Sequence, residues 1–251
     1  LSCWPHRSRR PDGVRGSGRP GSFRSPLAAG CASVLIVACA AAVPEALGCD
    51  GCGTVQGSVT VEQAALRTEG PKHDLDVVIS LDRVGGEDPP PAAATAEMDQ
   101  RGLVFIPHVL AVQRGTTVTF LNNDNDEHNV YFLDDRTGET LDIGTWGQGV
   151  AVDHTFAEAG TVITLCKLHL EMAAYIVVVK SPWFSRITLD PTSRRGAFAI
   201  EDVPPGEYEL SVWHKKLKQK GGTTRVNVKR GAAVDVDAVI TKAKYATKTG
   251  T

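Results

Sequence analysis

The sequence predicts an all-β protein made of two β-sandwiches in succession. Short runs rich in Val and Ile alternate apolar with polar side chains at a period of two. Turn signals carrying Gly, Asn and Pro separate these runs at short intervals, and helical periodicity is missing throughout. With 25 Gly and 14 Pro against 6% aromatics, the composition suits short strands joined by tight turns better than a helical bundle. The 251 residues suffice for one large domain or two small ones, each with a core.

Residues 1–48 read as an export signal and tether. Arg7, Arg9, Arg10, Arg15, Arg19 and Arg24 face a single acid, Asp12, and residues 27–43 are then apolar and small. Pro44 and Glu45 end this run, which is shorter and richer in Ala than a membrane span; a retained anchor is the competing reading. Ile36-Val37-Ala38-Cys39 resembles a bacterial lipoprotein processing site, with Cys39 as the lipidated residue, and Ala46-Leu47-Gly48-Cys49 is a poorer second match. The expected location is outside the cytoplasm, either periplasmic or lipid-anchored at the outer face of a bacterial membrane. Cys39 is the only expected link to a membrane.

Residues 49–97 read as N-terminal strands followed by a Pro-rich linker. Cys49-Asp50-Gly51-Cys52 is a small disulfide loop, a metal-binding pair or, the favoured reading, part of a flexible tether; no His follows Cys52, so the c-type haem attachment pattern is absent. Strand signals begin at Thr54, with Val55, Gly57, Val59 and Val61 alternating with polar residues, and residues 75–81 form a second run. Residues 85–96, containing Pro89-Pro90-Pro91, read as linker. Strands are then expected over 103–112, 116–121, 130–133, 150–156, 161–165 and 174–179, a series that indicates an antiparallel sandwich over residues 98–180.

The pattern restarts after Ser181-Pro182. Runs at 186–189, 196–200, 208–213, 224–228 and 234–240 predict a smaller sandwich over 181–242, and 243–251 reads as a disordered tail. Charge supports the boundary: residues 40–180 hold 21 acidic against 8 basic side chains, whereas residues 181–251 hold 7 against 13. The basic charges of the second half sit mainly in one loop, 215–220, without interleaved aromatics, which excludes a nucleic-acid interface.

One run carries chemistry. Cys166-Lys167-Leu168-His169-Leu170-Glu171-Met172 places a thiolate, an imidazole and a thioether in a single loop directly after a strand, a soft set that suits copper. A second imidazole completes a His2Cys plane. His128 is the candidate, 38 residues upstream, where it follows the polar turn Asn122-Asn123-Asp124-Asn125-Asp126-Glu127 and opens a strand. Met172 would then supply the long axial bond. Zinc sites of this class favour more Cys or His and no Met. A dinuclear copper centre needs a second bridging cysteine, and a multicopper oxidase needs a His-Cys-His run; Cys166 has neither. His108 and His154 are candidates for a fifth ligand or an outer-shell group, and His214 reads as structural.

These residues carry a resemblance. The block from about Met98 to Lys180 resembles the small cupredoxins, the amicyanin and plastocyanin group, through Val112, Gly115, Val118, Phe120 and Asn122 leading to His128-Asn129-Val130, and through Phe156, Gly160, Cys166, His169 and Met172. The short Cys–His and His–Met spacings are nearer amicyanin than plastocyanin. The resemblance implies a Greek-key β-sandwich, one type 1 copper held by His128, Cys166, His169 and Met172, and Asn129 bonding across to the Cys loop. Gly196-Ala197-Phe198-Ala199-Ile200 with Val203-Pro204-Pro205-Gly206, Tyr208 and Trp213 resembles the carboxypeptidase regulatory-like, or prealbumin-like, sandwich, which specifies fold and not activity.

The function expected from this reading is single-electron transfer between redox partners, not catalysis. No Ser-His-Asp arrangement, no paired carboxylates on one element and no phosphate-cradling loop stand near the ligands. Asp124, Asp126, Glu127, Asp134 and Asp135 cluster in sequence around the first ligand loop and are either a solvated loop or a docking surface for a basic redox protein. A copper carrier without redox cycling, and a surface module with incidental metal, are the alternative functions.

Overall fold

The computed structural model describes residues 49–62 and 75–242, and every regular element among them is a strand. The expected export signal, Cys39 as a lipidation site and the expected tail over 243–251 lie outside the described residues. No described helix is long and apolar enough to cross a membrane.

The strands fall into three blocks along the chain. The first holds β1 (Gly53–Val61) and β2 (Asp76–Arg83). The second holds β3 (Thr95–Gln100), β4 (Phe105–Ile106), β5 (Val109–Gln113), β6 (Thr117–Asn122), β7 (His128–Asp134), β8 (Thr140–Trp146), β9 (Ala151–Thr155), β10 (Gly160–Leu165) and β11 (Ala173–Val179). The third holds β12 (Phe184–Thr188), β13 (Arg195–Val203), β14 (Gly206–Trp213), β15 (Leu217–Gln219), β16 (Thr224–Val228) and β17 (Ala233–Lys242).

Pairing joins the first and third blocks into one sandwich. Its sheets run β13-β1-β17-β15 and β12-β2-β14-β16. The two early strands, which the sequence leaves free to join either sandwich, join the C-terminal one. β1 lies between β13 and β17, β2 lies between β12 and β14, and β3, which begins inside the expected linker, pairs with β6 in the middle block. Alternation in β1 and β2 marked them as strands but could not name partners more than a hundred residues away. The middle block forms the other sandwich, with sheets β5-β11-β10-β7-β8 and β4-β3-β6-β9, and it is inserted between β2 and β12. Out-of-sequence neighbours in both sheets are the crossovers of a Greek key. Neither sandwich is purely antiparallel, because β1–β17, β3–β6 and β5–β11 pair in parallel across long connections.

Three apolar layers hold the sheets together. Val55, Val59 and Ile240 face Val77, Ile79, Leu81 and Tyr208 in the core of the first sandwich. Met98, Val118 and Phe120 face Val130, Phe132, Ala174, Ile176 and Val178 in the core of the second. Between them Val78, Phe184 and Trp213 pack on Val109, Ala111, Tyr175, Val177 and Val179. Strand β11 is thus buried on both faces, Ala174, Ile176 and Val178 inward and Val177 and Val179 toward the other sandwich. Its apolar run Ile176-Val177-Val178-Val179 is the sequence form of that burial.

Two local expectations change. The single strand expected over 103–112 is broken into β4 and β5 at the cis bond before Pro107, a residue that cannot donate to a ladder. Cys49 and Cys52, favoured in sequence as a flexible tether, form a disulfide. The Cys52 amide bonds Cys49 O at 3.0 Å, and the Gly231 amide bonds Gly51 O at 3.0 Å, so the loop is fastened to the turn before β17.

Candidate metal centre

Strand ends set the site. His128 is the first residue of β7, and Cys166 follows the last residue of β10, the strand paired with β7. His169 and Met172 lie in the turn that leads to β11, closed by the Met172 amide on His169 O at 3.0 Å. A long-range ladder and a short turn therefore bring His128 to the Cys166 loop. The ligand atoms of His128, Cys166 and His169 all lie within 4.8 Å of one another, the single such group of His, Cys, Asp or Glu among the described residues. Met172 is buried in the same core cluster as Cys166.

The two imidazoles meet through Nδ1, 3.1 Å apart, and His169 Nδ1 is 3.7 Å from Cys166 Sγ. The other nitrogen of His128, Nε2, lies 3.1 Å from Asp124 Oδ2. An Nε2–H donated to that carboxylate leaves the Nδ1 lone pair turned toward His169 and the thiol. His128, Cys166 and Met172 are no more than 2% exposed. Two imidazole nitrogens and a buried sulfur converging in this way, with a carboxylate behind one imidazole, fit a soft metal such as copper.

Asn129 ties the two segments together. Its amide donates to Cys166 Sγ at 3.4 Å, and its side-chain Oδ1 accepts from the Lys167 amide at 3.3 Å. Its Nδ2 donates to Asp142 Oδ1 and Gly144 O, both at 2.9 Å. Asp142 also accepts the Gly144 amide at 2.9 Å and pairs with the Lys167 ammonium, which sits 5.3 Å above the Tyr131 ring. Lys167 first, then Asn129 and Gly144, hold the Asp142 carboxyl down at about 2. Asp124 is likewise lowered, by the Leu103 amide first and His128 second. Sequence reading passed over Asp142 and Lys167 because β8 was not expected. The sequence puts Asp124 in an acidic cluster that is either a solvated loop or a docking surface, and its four-residue spacing from His128 is the signal for the contact.

Neither remaining candidate histidine reaches the group. His154 belongs to β9 in the opposite sheet, where its ring lies 5.0 Å from Phe132 and 4.8 Å from Phe156, and burial lowers its pKa. His108 lies just before β5, its ring 5.5 Å from Tyr175 and its Nε2 3.2 Å from Lys215 Nζ in the other sandwich. His214 Nδ1 accepts the Lys216 and Leu217 amides at 3.0 and 3.2 Å and caps a turn. The sequence cluster of acids is also divided. Asp124, Asp126 and Glu127 precede β7 at the ligand end, while Asp134 and Asp135 lie at its other end, roughly 20 Å away. Leu168 and Leu170 beside His169 are 53% and 85% exposed.

Residues 92–179 match the family model of copper binding proteins, plastocyanin/azurin family. This segment is a plastocyanin/azurin-family domain. Solved structures similar to this domain include a reduced amicyanin with one Trp-to-Tyr substitution, 32% identical, over 35% of this chain and 84% of that one, TM-score 0.32. Another reduced amicyanin variant is 27% identical over 39% of this chain and 98% of that one, TM-score 0.32. A purple cupredoxin from Nitrosopumilus maritimus is 23% identical over 33% of this chain and 98% of that one, TM-score 0.30. No match was found among curated proteins. In the other sandwich, expected from sequence to be a carboxypeptidase regulatory-like module, the family model that matches is instead polysaccharide lyase family 4, domain II, over residues 190–236.

Proposed function

We propose that this plastocyanin/azurin-family protein is an exported, non-enzymatic carrier of single electrons, using one type 1 copper. The observation that carries the reading is the convergence of His128 Nδ1, Cys166 Sγ and His169 Nδ1 within 4.8 Å in a family of copper-binding proteins. Copper bound there supplies a one-electron couple. His128, Cys166, His169 and Met172 would hold it, while Asn129 holds the two ligand segments in register and the surrounding apolar layer limits access of water. A ligand set fixed in this way changes little between oxidation states, which suits repeated transfer.

His169 is the ligand nearest solvent, flanked by the exposed Leu168 and Leu170. Electrons enter and leave at this edge. A redox protein docks there, and the exposed Asp126 and Glu127 at the same end favour a basic partner. The other sandwich, read as a carboxypeptidase regulatory-like fold, acts as the scaffold on which the copper domain is mounted. The mature protein is periplasmic or anchored through Cys39, which mass spectrometry of its N-terminus distinguishes.

Titration of the purified protein with Cu(II), followed by ascorbate, tests the function. An intense visible thiolate-to-copper band that ascorbate bleaches reversibly supports it. A colourless protein that binds only Cu(I) points instead to a carrier that delivers copper.

A further inference from the structure

We infer that Asp142 and Lys167 are positioning residues that set the electrostatics of the Cys166 thiolate. This rests on the electron-transfer reading above. Neither side chain points to the site by its sequence position. Asp142 lies in β8, 24 residues before Cys166, and Lys167 is the residue after it.

The geometry makes one clamp. The Asp142 carboxylate accepts from Asn129 Nδ2 and from the Gly144 amide, and it pairs with the Lys167 ammonium. The Asn129 side chain is thereby turned so that its Oδ1 meets the Lys167 amide, while its main-chain amide, placed by β7, meets Cys166 Sγ. The register shift between β7 and β8 at Val130/Tyr131 folds the Gly144 amide back onto Asp142, so one carboxylate serves three donors. Fixing the Asn129 amide on the sulfur stabilises negative charge there. The ammonium and the carboxylate are paired with each other, so their fields at the sulfur largely cancel.

Removing either charge leaves the other uncompensated, so the two removals act in opposite directions. Lys167 alone would favour the state with the more negative centre, the reduced one; Asp142 alone would favour the oxidised one. A purely mechanical clamp gives no such sign reversal. The pair is partly exposed, at 55% and 40%, so salt weakens both effects.

The test has two arms on the full chain. In the copper-loaded protein, Asp142→Ala raises the reduction potential, Lys167→Met lowers it, and Asp142→Glu returns it toward wild type. Shifts of the same sign, or none, overturn the inference. In the copper-free protein, hydrogen exchange of the Lys167 amide speeds up about tenfold in Asp142→Ala and recovers in Asp142→Glu; an unchanged rate overturns the clamp. If wild type takes up copper without colour, the electron-transfer reading fails while the exchange arm still decides the clamp.

Discussion

His128 and His169, 41 residues apart in the chain, face each other through their Nδ1 atoms at 3.1 Å. That contact is prepared from behind by Asp124, whose Oδ2 lies 3.1 Å from His128 Nε2 and also accepts the Leu103 amide at 2.9 Å. Carboxylates that orient a ligand imidazole are typically worth about ten- to hundredfold in metal affinity. Asp124→Ala should therefore weaken copper binding by that order in a competition with a chelator of known affinity. An affinity equal to wild type would remove Asp124 from this role.

The sulfur ligands have separate jobs that substitution distinguishes. Cys166→Ser should remove the intense visible band while the buried fold survives, since the change is isosteric. Met172→Leu should keep the band and raise the reduction potential, because a weak axial donor to the oxidised centre is lost. A potential unmoved by Met172→Leu would take Met172 out of the axial position.

The two sandwiches share an apolar layer, so they should melt together. Val78, 1% exposed, packs in that layer with Val177 and Val179 of β11. Val78→Ala should cost about 2 kcal/mol from lost burial and the cavity left behind. The calorimetric transition should remain single, with its midpoint lowered. Two separated transitions in wild type would contradict the coupling.

His154 gives stability a pH dependence. Burial between Phe132 and Phe156 lowers its folded pKa, so the unfolded chain binds more protons once pH falls below the ordinary His value of about 6.5. The contribution is complete above that pH and declines as pH falls through it toward the folded value. Denaturant midpoints measured across this range should fall less steeply in His154→Phe than in wild type. Parallel profiles would show that His154 carries none of the slope.

Much of the site was legible because its chemistry is local. Cys166, His169 and Met172 occupy one turn, and His128 follows a polar loop and opens a strand, so residue type and spacing sufficed to single out His128, Cys166 and His169, which the structure brings together. The supporting shell was not legible, because Asp142 reaches Asn129 and Lys167 only through the β7–β8 register and its bulge. Likewise the Val alternation of β1 declared a strand without declaring that it would pair in parallel with β17. Gly57 carried a hint: a Cβ there would lie 1.8 Å from Val236 O, so only Gly permits the approach, yet nothing in sequence says what approaches. β15, with one buried side chain in three residues, offered no period to read within the basic loop.

The central claim is that His128, Cys166, His169 and Met172 hold a redox-active type 1 copper. It is tested most directly by the visible spectrum of the purified protein loaded with one equivalent of Cu(II), before and after ascorbate. The account predicts an intense thiolate-to-copper charge-transfer band that ascorbate bleaches and reoxidation restores, and that is lost in Cys166→Ser. Weak absorption typical of Cu(II) bound by nitrogen and oxygen alone, or a band that survives Cys166→Ser, would contradict it.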